Sequence, residues 1–556
     1  MVCIGDAFEN TAERRMRGSI LRGMHRADSA RRFGVAALLV GAAAARIAVY
    51  FCCAAPFEDA YITLRYARNI ASGLGFVYNP GEHVLGTTTP LWTLLNALYI
   101  WLLGAGTVIG FGFWLSLVLD LSAIVAIATV LSRAGLPPAV SWSALLPMAF
   151  FSPFVFIVSS SMETSLFLAV LAFSILALQS GNLVASFACA GLLAICRPEG
   201  FLWLGLLLFL VVLMERRIPW KEGLVAAGFT APWMTYAELR FGGVVPQSAL
   251  AKTPWTYASL THVLGTGFRW LPKTLFTLTF VQSLPRPGVL NTIWIRSAPE
   301  LAALGLFLLG ALVAVRRRGT REMVLFFMVL VCFYSFAAPG VSFFWYGVPP
   351  SMLFFPVLML GLWRVSSFVA RRFPFLTQGA PQNIWRVACL LLLAALIPGL
   401  VVRARNLEAA NQYEANTRKA VGLFLAHQTP RGATVMLEPI GYIGFFSDRY
   451  VYDLGGLVSP SITRLRQEFP RDWYTRAIFS FSPDYLVLRD FEIPQNVAFL
   501  GGQRLFETDQ QRADFFSRYQ EIGKYAGMIA NGNEPPGFVV FRKTNGVQRA
   551  GSELPL

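Results

Sequence analysis

Two adjacent carboxylates, Glu58 and Asp59, stand where the first long apolar run ends, and two arginines, Arg65 and Arg68, follow shortly after. A carboxylate within hydrogen-bond reach can remove the proton from a poor nucleophile such as a hydroxyl. A guanidinium offers a two-pronged match to a phosphate. If Asp59 opens a helix running to Ser72, then Tyr61, Arg65, Arg68 and Ser72 share one face, and Ala60, Thr63, Ala67, Ile70 and Ala71 share another. Such a helix reads as interfacial and amphipathic, with its cationic face at headgroup level. The chain then turns through Gly73, Gly75 and Asn79-Pro80-Gly81, passes Glu82 and His83, and re-enters an apolar run at Pro90-Leu91-Trp92. Composition alone also allows a plainer reading, in which these charges are simply solvated at a membrane surface.

The elements that must position this segment are set by composition. Of 556 residues, 55% are hydrophobic and 14% charged, where a soluble domain carries about 25% charged residues. A disordered chain and an ordinary soluble enzyme are both excluded. The net charge is +16, which would suggest a nucleic-acid partner if it were spread over a soluble surface. It is not so spread: residues 1–402 hold 29 Lys/Arg against 15 Asp/Glu, and residues 403–556 hold 18 against 16. No nucleic acid is expected as a partner. Seven arginines between Arg14 and Arg32 precede the run Phe33–Ala55, which places residues 1–32 in the cytoplasm by the positive-inside rule. That run, at about 23 residues, is too long for the 7–15-residue core of a signal peptide and is read as an uncleaved helix. Clusters at Arg216/Arg217/Lys221, Arg316/Arg317/Arg318/Arg321 and Arg371/Arg372/Arg386 mark further cytoplasmic turns.

The expected architecture is mainly α: a polytopic transmembrane helical bundle of 11–13 spans with a soluble C-terminal α/β domain. Residues 33–402 form the membrane domain, with outer loops at 56–90 and about 241–296. Residues 403–556 form the extracytoplasmic domain, with a helix over Asn406–His427 and β-rich runs at Ala433–Leu437, Tyr450–Tyr452, Tyr485–Leu488 and Phe538–Phe541. Seven cysteines lie almost entirely in or beside apolar runs, so neither a disulfide framework nor a zinc site is expected. Asp120, inside a span, reads as a buried hydrogen-bonded acid.

The first outer loop also carries an ordered motif: Glu58-Asp59-Ala60-Tyr61-Ile62-Thr63-Leu64-Arg65, Asn69, Gly73-Leu74-Gly75, Tyr78-Asn79, Glu82 and Thr88-Thr89-Pro90-Leu91-Trp92. It resembles the first outer loop of GT-C class polytopic glycosyltransferases, nearest the mycobacterial terminal arabinofuranosyltransferases and related bacterial envelope enzymes. Those loops begin with an Asp-Asp pair, where this one has Glu58 first. Weaker matches follow in order: Ser161-Met162-Glu163-Thr164, Arg197-Pro198-Glu199-Gly200, Pro246-Gln247 with Ala251-Lys252, Trp345-Tyr346 with Pro349, Glu438-Pro439-Ile440-Gly441 and Tyr452-Asp453-Leu454. The resemblance covers nearly the whole chain.

It implies a membrane glycosyltransferase that moves a sugar, a hexose or a pentose, from a polyprenyl-phosphate donor to an acceptor hydroxyl of an envelope glycan or glycolipid. The reaction would occur at the outer face of the cytoplasmic membrane and would invert the anomeric centre. Asp59 is the expected base, with Glu58 as alternate or second acid. Arg65, Arg68, Arg197 and Lys252 are expected at the donor phosphate, with Arg269 and Lys273 also available. Tyr61, Asn79, Glu82, His83, Glu163 and Tyr346 are expected around the substrates. Glu163 and Glu199 are equally readable as ion-pair partners, His83 as a plain loop residue, Tyr346 as a belt aromatic, and Glu438 and Asp453 as strand caps. Glu58 and Asp59 could hold a divalent cation (Mg2+, Mn2+ or Ca2+) as a hard-oxygen site, and no other cofactor is implied. Against the enzyme stand two alternatives: a transporter or flippase of lipid-linked sugars, and a membrane-anchored carbohydrate-binding module.

Overall fold

The computed structural model describes residues 34–53, 56–252, 260–279, 298–338, 343–373, 381–494, 504–527 and 537–544, so the basic N-terminus expected at 1–32 and parts of the 241–296 loop lie outside the described residues. Apolar runs in lipid can satisfy their backbone only internally, and here they do so as helices. Gly34–Cys53, Ala105–Arg133, Thr320–Ala337, Phe344–Arg372 and Asn383–Gln428 are long and apolar enough to cross a bilayer, and the bent pair Val140–Phe150 with Ser152–Val158 makes a sixth. Pro90–Leu103, Thr164–Gln179, Leu183–Cys196 and Glu300–Ala314 are apolar but shorter. Several helices stop at polar residues that line the candidate site, Glu163 and Arg197 among them, before reaching the ~20 residues of a full span. The helices Val140–Phe150 and Ser152–Val158 meet at a 64° bend, flanked by Pro147 and Pro153, which cannot donate to a continuous helix.

Arg46 secures that bend from inside the bundle. Its Nε donates to Asp120 at 2.7 Å, and its two other nitrogens donate to the carbonyls of Ala42, Met148 and Ala149 at 2.8–3.0 Å. Both side chains are buried. Asp120 is therefore the hydrogen-bonded acid expected, and its cation comes from the first helix.

The described residues of the 241–296 loop are largely helical. The loop contains the helices Gln247–Lys252 and Leu260–Leu278, the latter packing on the π-helical turn Phe333–Ala337. In the tail, five strands form one sheet in the order β2-β1-β3-β5-β4: β1 Thr434–Leu437, β2 Tyr450–Asp453, β3 Tyr485–Arg489, β4 Tyr519–Tyr525 and β5 Phe538–Lys543. β1 pairs in parallel with β2 and β3, and β5 pairs antiparallel with β3 and β4. Four of these match the β-rich runs in the sequence. β4, a charged edge strand reading YQEIGKY with most side chains outside the core, carries no apolar alternation that would announce it.

The tail is not a separate module. The last bundle helix, Pro381–Tyr413, continues through a π-helical segment at Glu414–Lys419 into Ala420–Gln428. The outer loop and the sheet also share one hydrophobic core, in which Ile62, Tyr66, Phe76 and Tyr78 pack with Val421, Val435, Leu437 and Val451.

Candidate active site

Asp59 sits in the first turn of the helix Glu58–Ala71. Two contacts fix where that turn lies: the Phe57 backbone N–H donates to the Ser160 carbonyl at 3.0 Å, and the Trp92 indole N–H donates to Ser161 at 3.0 Å. The loop's two ends are thus pinned to the Ser-Ser-Ser-Met-Glu stretch that precedes the Thr164–Gln179 helix. Lys252 reaches Asp59 from the long loop, with Nζ 3.4 Å from the carboxylate. Gln247 places its helix: its backbone N–H donates to Leu85 at 2.7 Å, and its side chain donates to Gly456 and Thr463 at 3.0 and 2.9 Å. Burial works against the Lys252 ammonium, but Asp59 more than offsets it and leaves the pKa above its ordinary value.

Asp59 and Lys252 lie where two cavities meet. The inner one, about 950 Å3 of space open to solvent, reaches into the bundle past Thr87–Thr89, Ser248 and Tyr346. At its wall Arg197 is held between Glu163 at 2.9 Å and Glu199 at 2.6 Å, with all three side chains almost fully buried. Tyr334 donates its hydroxyl to Glu199, and the Tyr346 ring lies 5.1 Å from the Arg197 guanidinium. Gly200 is required by this Arg-Pro-Glu-Gly turn, since a Cβ there would fall 2.1 Å from the Leu193 carbonyl. The outer cavity opens between the bundle and the tail and is bordered by Glu438, Asp453, Arg466 and Trp473.

Several expected site residues have other work. Glu58 borders the outer cavity together with Asp59 but is otherwise engaged: its carboxylate accepts from the Gly441 and Tyr442 backbone N–H groups and pairs with Arg418 at 3.1 Å. Burial pushes its carboxyl up, against Arg418 and these two donors. A Cβ on Gly441 would sit 2.0 Å from the Glu58 carbonyl, so only glycine permits this approach. Arg65, expected at a phosphate, is buried and donates to the carbonyls of Tyr78, Gly444 and Arg449 at 2.6–2.9 Å. Arg68, expected on a free cationic face, pairs with Asp448 at 2.7 Å and donates to Phe445 at 3.0 Å. The helix is thus a docking element under the tail and not an interfacial one. Its aromatic residue Tyr61 packs on Tyr442, Phe445 and Phe446.

Asn79 mimics a neighbouring strand, exchanging two hydrogen bonds with Val451 at 2.9 and 3.0 Å, and Glu82 accepts from Asn79 and Tyr450. His83, Arg269 and Lys273 are exposed and border neither cavity. Each acid of the Glu58–Asp59 pair is paired with its own cation, Arg418 and Lys252, and among the described residues no group of three His, Cys, Asp or Glu gathers to hold a metal. These residues do not fit the hard-oxygen site considered from sequence. Sequence reasoning missed Tyr334, Arg418, Arg466 and Trp473; none stands in a motif, and each acquires its place only through the tertiary fold.

The crystal structure of ArnT from Cupriavidus metallidurans bound to undecaprenyl phosphate superposes with a TM-score of 0.50 at 15% identity, covering 93% of this chain and 99% of that one. The chain has the ArnT fold. The apo state of the same protein gives a TM-score of 0.50 at 17% identity, with 92% and 98% covered. This bears out the mainly α, GT-C-like architecture with its small C-terminal sheet. Residues 405–541 match a family described as Domain of unknown function (DUF8728). No curated protein matches the sequence.

Proposed function

We propose that this chain is a membrane glycosyltransferase that passes a sugar from a polyprenyl-phosphate donor to an acceptor hydroxyl outside the cytoplasmic membrane, with Asp59 as general base. The observation that carries the reading is the Asp59–Lys252 pair, 3.4 Å apart, at the junction of an inner and an outer cavity. The undecaprenyl phosphate in the ArnT structure supports a donor of that class, with its phosphate in the inner cavity and its chain in the bilayer.

The charges balance. The acceptor oxygen bonds to the anomeric carbon as the carbon–oxygen bond to phosphate breaks, and the hydroxyl proton moves to Asp59. The donor phosphodiester, with one negative charge, leaves as a monoester with a second. Protonated Asp59 no longer neutralises Lys252, whose ammonium is then free to face the phosphate as its charge grows. A cation released at the moment charge develops stabilises the transition state more than the ground state. Arg197, tied to two carboxylates, is a fixed part of the wall rather than a free phosphate ligand, and with it Glu163, Glu199 and Tyr346 shape the donor side. A single displacement of this kind inverts the anomeric centre.

The outer-loop resemblance favours a pentose such as arabinofuranose, and an envelope glycan or glycolipid as acceptor, with the tail outside the membrane. Mass spectrometry of envelope glycans from cells lacking the protein tests this. One sugar should be missing and should return with the wild-type gene but not with Asp59→Asn; an unchanged glycan profile contradicts the proposal.

A further inference from the structure

The helix Leu260–Leu278 has an outward side that the transfer step does not use. Gly267, Thr274 and Leu278 recur on one face and are buried against the bundle. Gly267 comes so close to Phe336 that a Cβ there would fall 1.9 Å from its ring, and Phe268 meets the same ring edge-on at 5.3 Å. Phe336 lies next to the end of the span Thr320–Ala337, at the same end of the bundle as Asp59. Further along the helix, the Leu278 carbonyl accepts from Ser351 at 3.0 Å. Ser351 is seven residues into Phe344–Arg372, about 10 Å along that span. The helix therefore runs obliquely from the rim of the bundle to the depth of about 5–10 Å at which interfacial helices lie.

Two kinds of side chain face outward. Leu264 and Phe268, one turn apart, are 42% and 64% exposed. Arg269 and Lys273, also one turn apart and across the helix from that apolar strip, are exposed as well. An apolar strip with Lys and Arg opposite is the pattern of a helix lying in the plane of a membrane surface. Trp270, with Lys273 Nζ 4.2 Å from its ring centre, is an aromatic of the kind enriched at that level. The charge of the segment is one-sided: residues 241–296 hold Lys252, Arg269, Lys273, Arg286 and Arg296 and no Asp or Glu. Lys252 faces Asp59, whereas Arg269 and Lys273 form no ion pair among the described residues. Neither borders a cavity, so the phosphate of a donor seated in the inner one is not their counter-ion. Lys and Arg are ordinarily sparse in outer loops. Two that stand unpaired at the surface of a bilayer are complementary to its negative headgroups.

We propose that the Leu260–Leu278 helix docks on the bilayer and binds anionic phospholipid headgroups through Arg269 and Lys273, with Leu264 and Phe268 among the acyl chains. This surface is separate from both cavities and does not depend on which reaction the chain carries out. It also bears on the inner cavity, because Phe336 beneath the helix is two residues from Tyr334, which donates to Glu199 at the cavity wall.

The test uses the full chain in phosphatidylcholine nanodiscs with or without phosphatidylglycerol. It reads crosslinking of the 260–279 peptide to photoactivatable phosphatidylglycerol or phosphatidylcholine, and hydrogen exchange of the same peptide. The phosphatidylglycerol probe should label the peptide about fivefold more than the other, the weight of one cation near an anionic surface, and the peptide's amides should be better protected in the phosphatidylglycerol discs. Arg269→Gln with Lys273→Gln should abolish both differences, while Arg269→Lys with Lys273→Arg should keep them; both positions are exposed, so the fold should survive. Equal labelling by the two probes, or a preference unchanged in the Gln variant, would overturn the headgroup site. Protection by inorganic phosphate in plain phosphatidylcholine discs would also overturn it, in favour of a free-anion site. Loss of undecaprenyl phosphate binding in the Gln variant would assign the two cations to the donor and overturn it as well.

Discussion

At the scale of single residues, the acid pair divides its labour. Asp59 looks into open space beside a lysine, and Glu58 is enclosed by backbone donors and an arginine. The pair was legible in the sequence, but its asymmetry was not, because the Gly441 N–H that claims Glu58 lies 383 positions further on. Arg65 and Arg68 mislead for the same reason: their partners are carbonyls and an acid of the tail, far along the chain and invisible to helical spacing. Lys252 is different, since it faces Asp59 across both cavities. Lys252→Ala should lower kcat by about 10²-fold, the usual loss on removing one group that meets developing charge, while Lys252→Arg should recover most of it. Steady-state assays with a polyprenyl-phosphate sugar check both.

At the scale of elements, the Glu58–Ala71 helix is a bracket between bundle and tail. Glu58→Ala would leave two backbone N–H groups without their acceptor and Arg418 with Glu414 as its remaining partner, at a cost of about 2–3 kcal/mol once partial exposure is allowed for. Hydrogen exchange should show the Tyr442–Ser447 helix opening more often while the bundle stays protected. Acidity should act on the same junction. Burial pushes the Asp453 carboxyl up to about 7 from 3.8, with Glu438 adding to the rise and the Val458 and Gly455 N–H groups opposing it. Glu414, buried beside Glu58, is likewise raised to about 7. A raised acid binds its proton more tightly in the folded state, so its contribution is complete below about pH 4 and is lost as pH climbs through about 7. Thermal unfolding of the tail should therefore show stability falling between pH 4 and 7, with a shallower slope in Asp453→Asn. Strand β4 and the Leu260–Leu278 helix escaped the sequence because one is a charged edge and the other lies in a stretch that reads as loop.

At the scale of the whole molecule, hydropathy was enough to find the bundle and the tail, because burial in lipid demands apolar runs whatever their tertiary partners. What it did not convey is that the outer loop and the tail fold as one core around the site. The continuous helix from the last bundle segment into the tail ties the two mechanically. The charge asymmetry predicts a topology that labelling can check: single cysteines introduced at His83 or Arg512 should be labelled by a membrane-impermeant maleimide from outside the cell, and one at Arg216 only after permeabilisation. Labelling of Arg216→Cys in intact cells would invert the orientation.

The most direct measurement follows label in a purified system, with the wild-type chain in nanodiscs, a radiolabelled polyprenyl-phosphate sugar, and glycan extracted from cells lacking the protein. Label should pass to the glycan as polyprenyl phosphate is released, and Asp59→Asn should slow this by about 10²–10⁴-fold without weakening donor binding. Full turnover by Asp59→Asn would contradict a mechanism in which Asp59 takes the acceptor's proton.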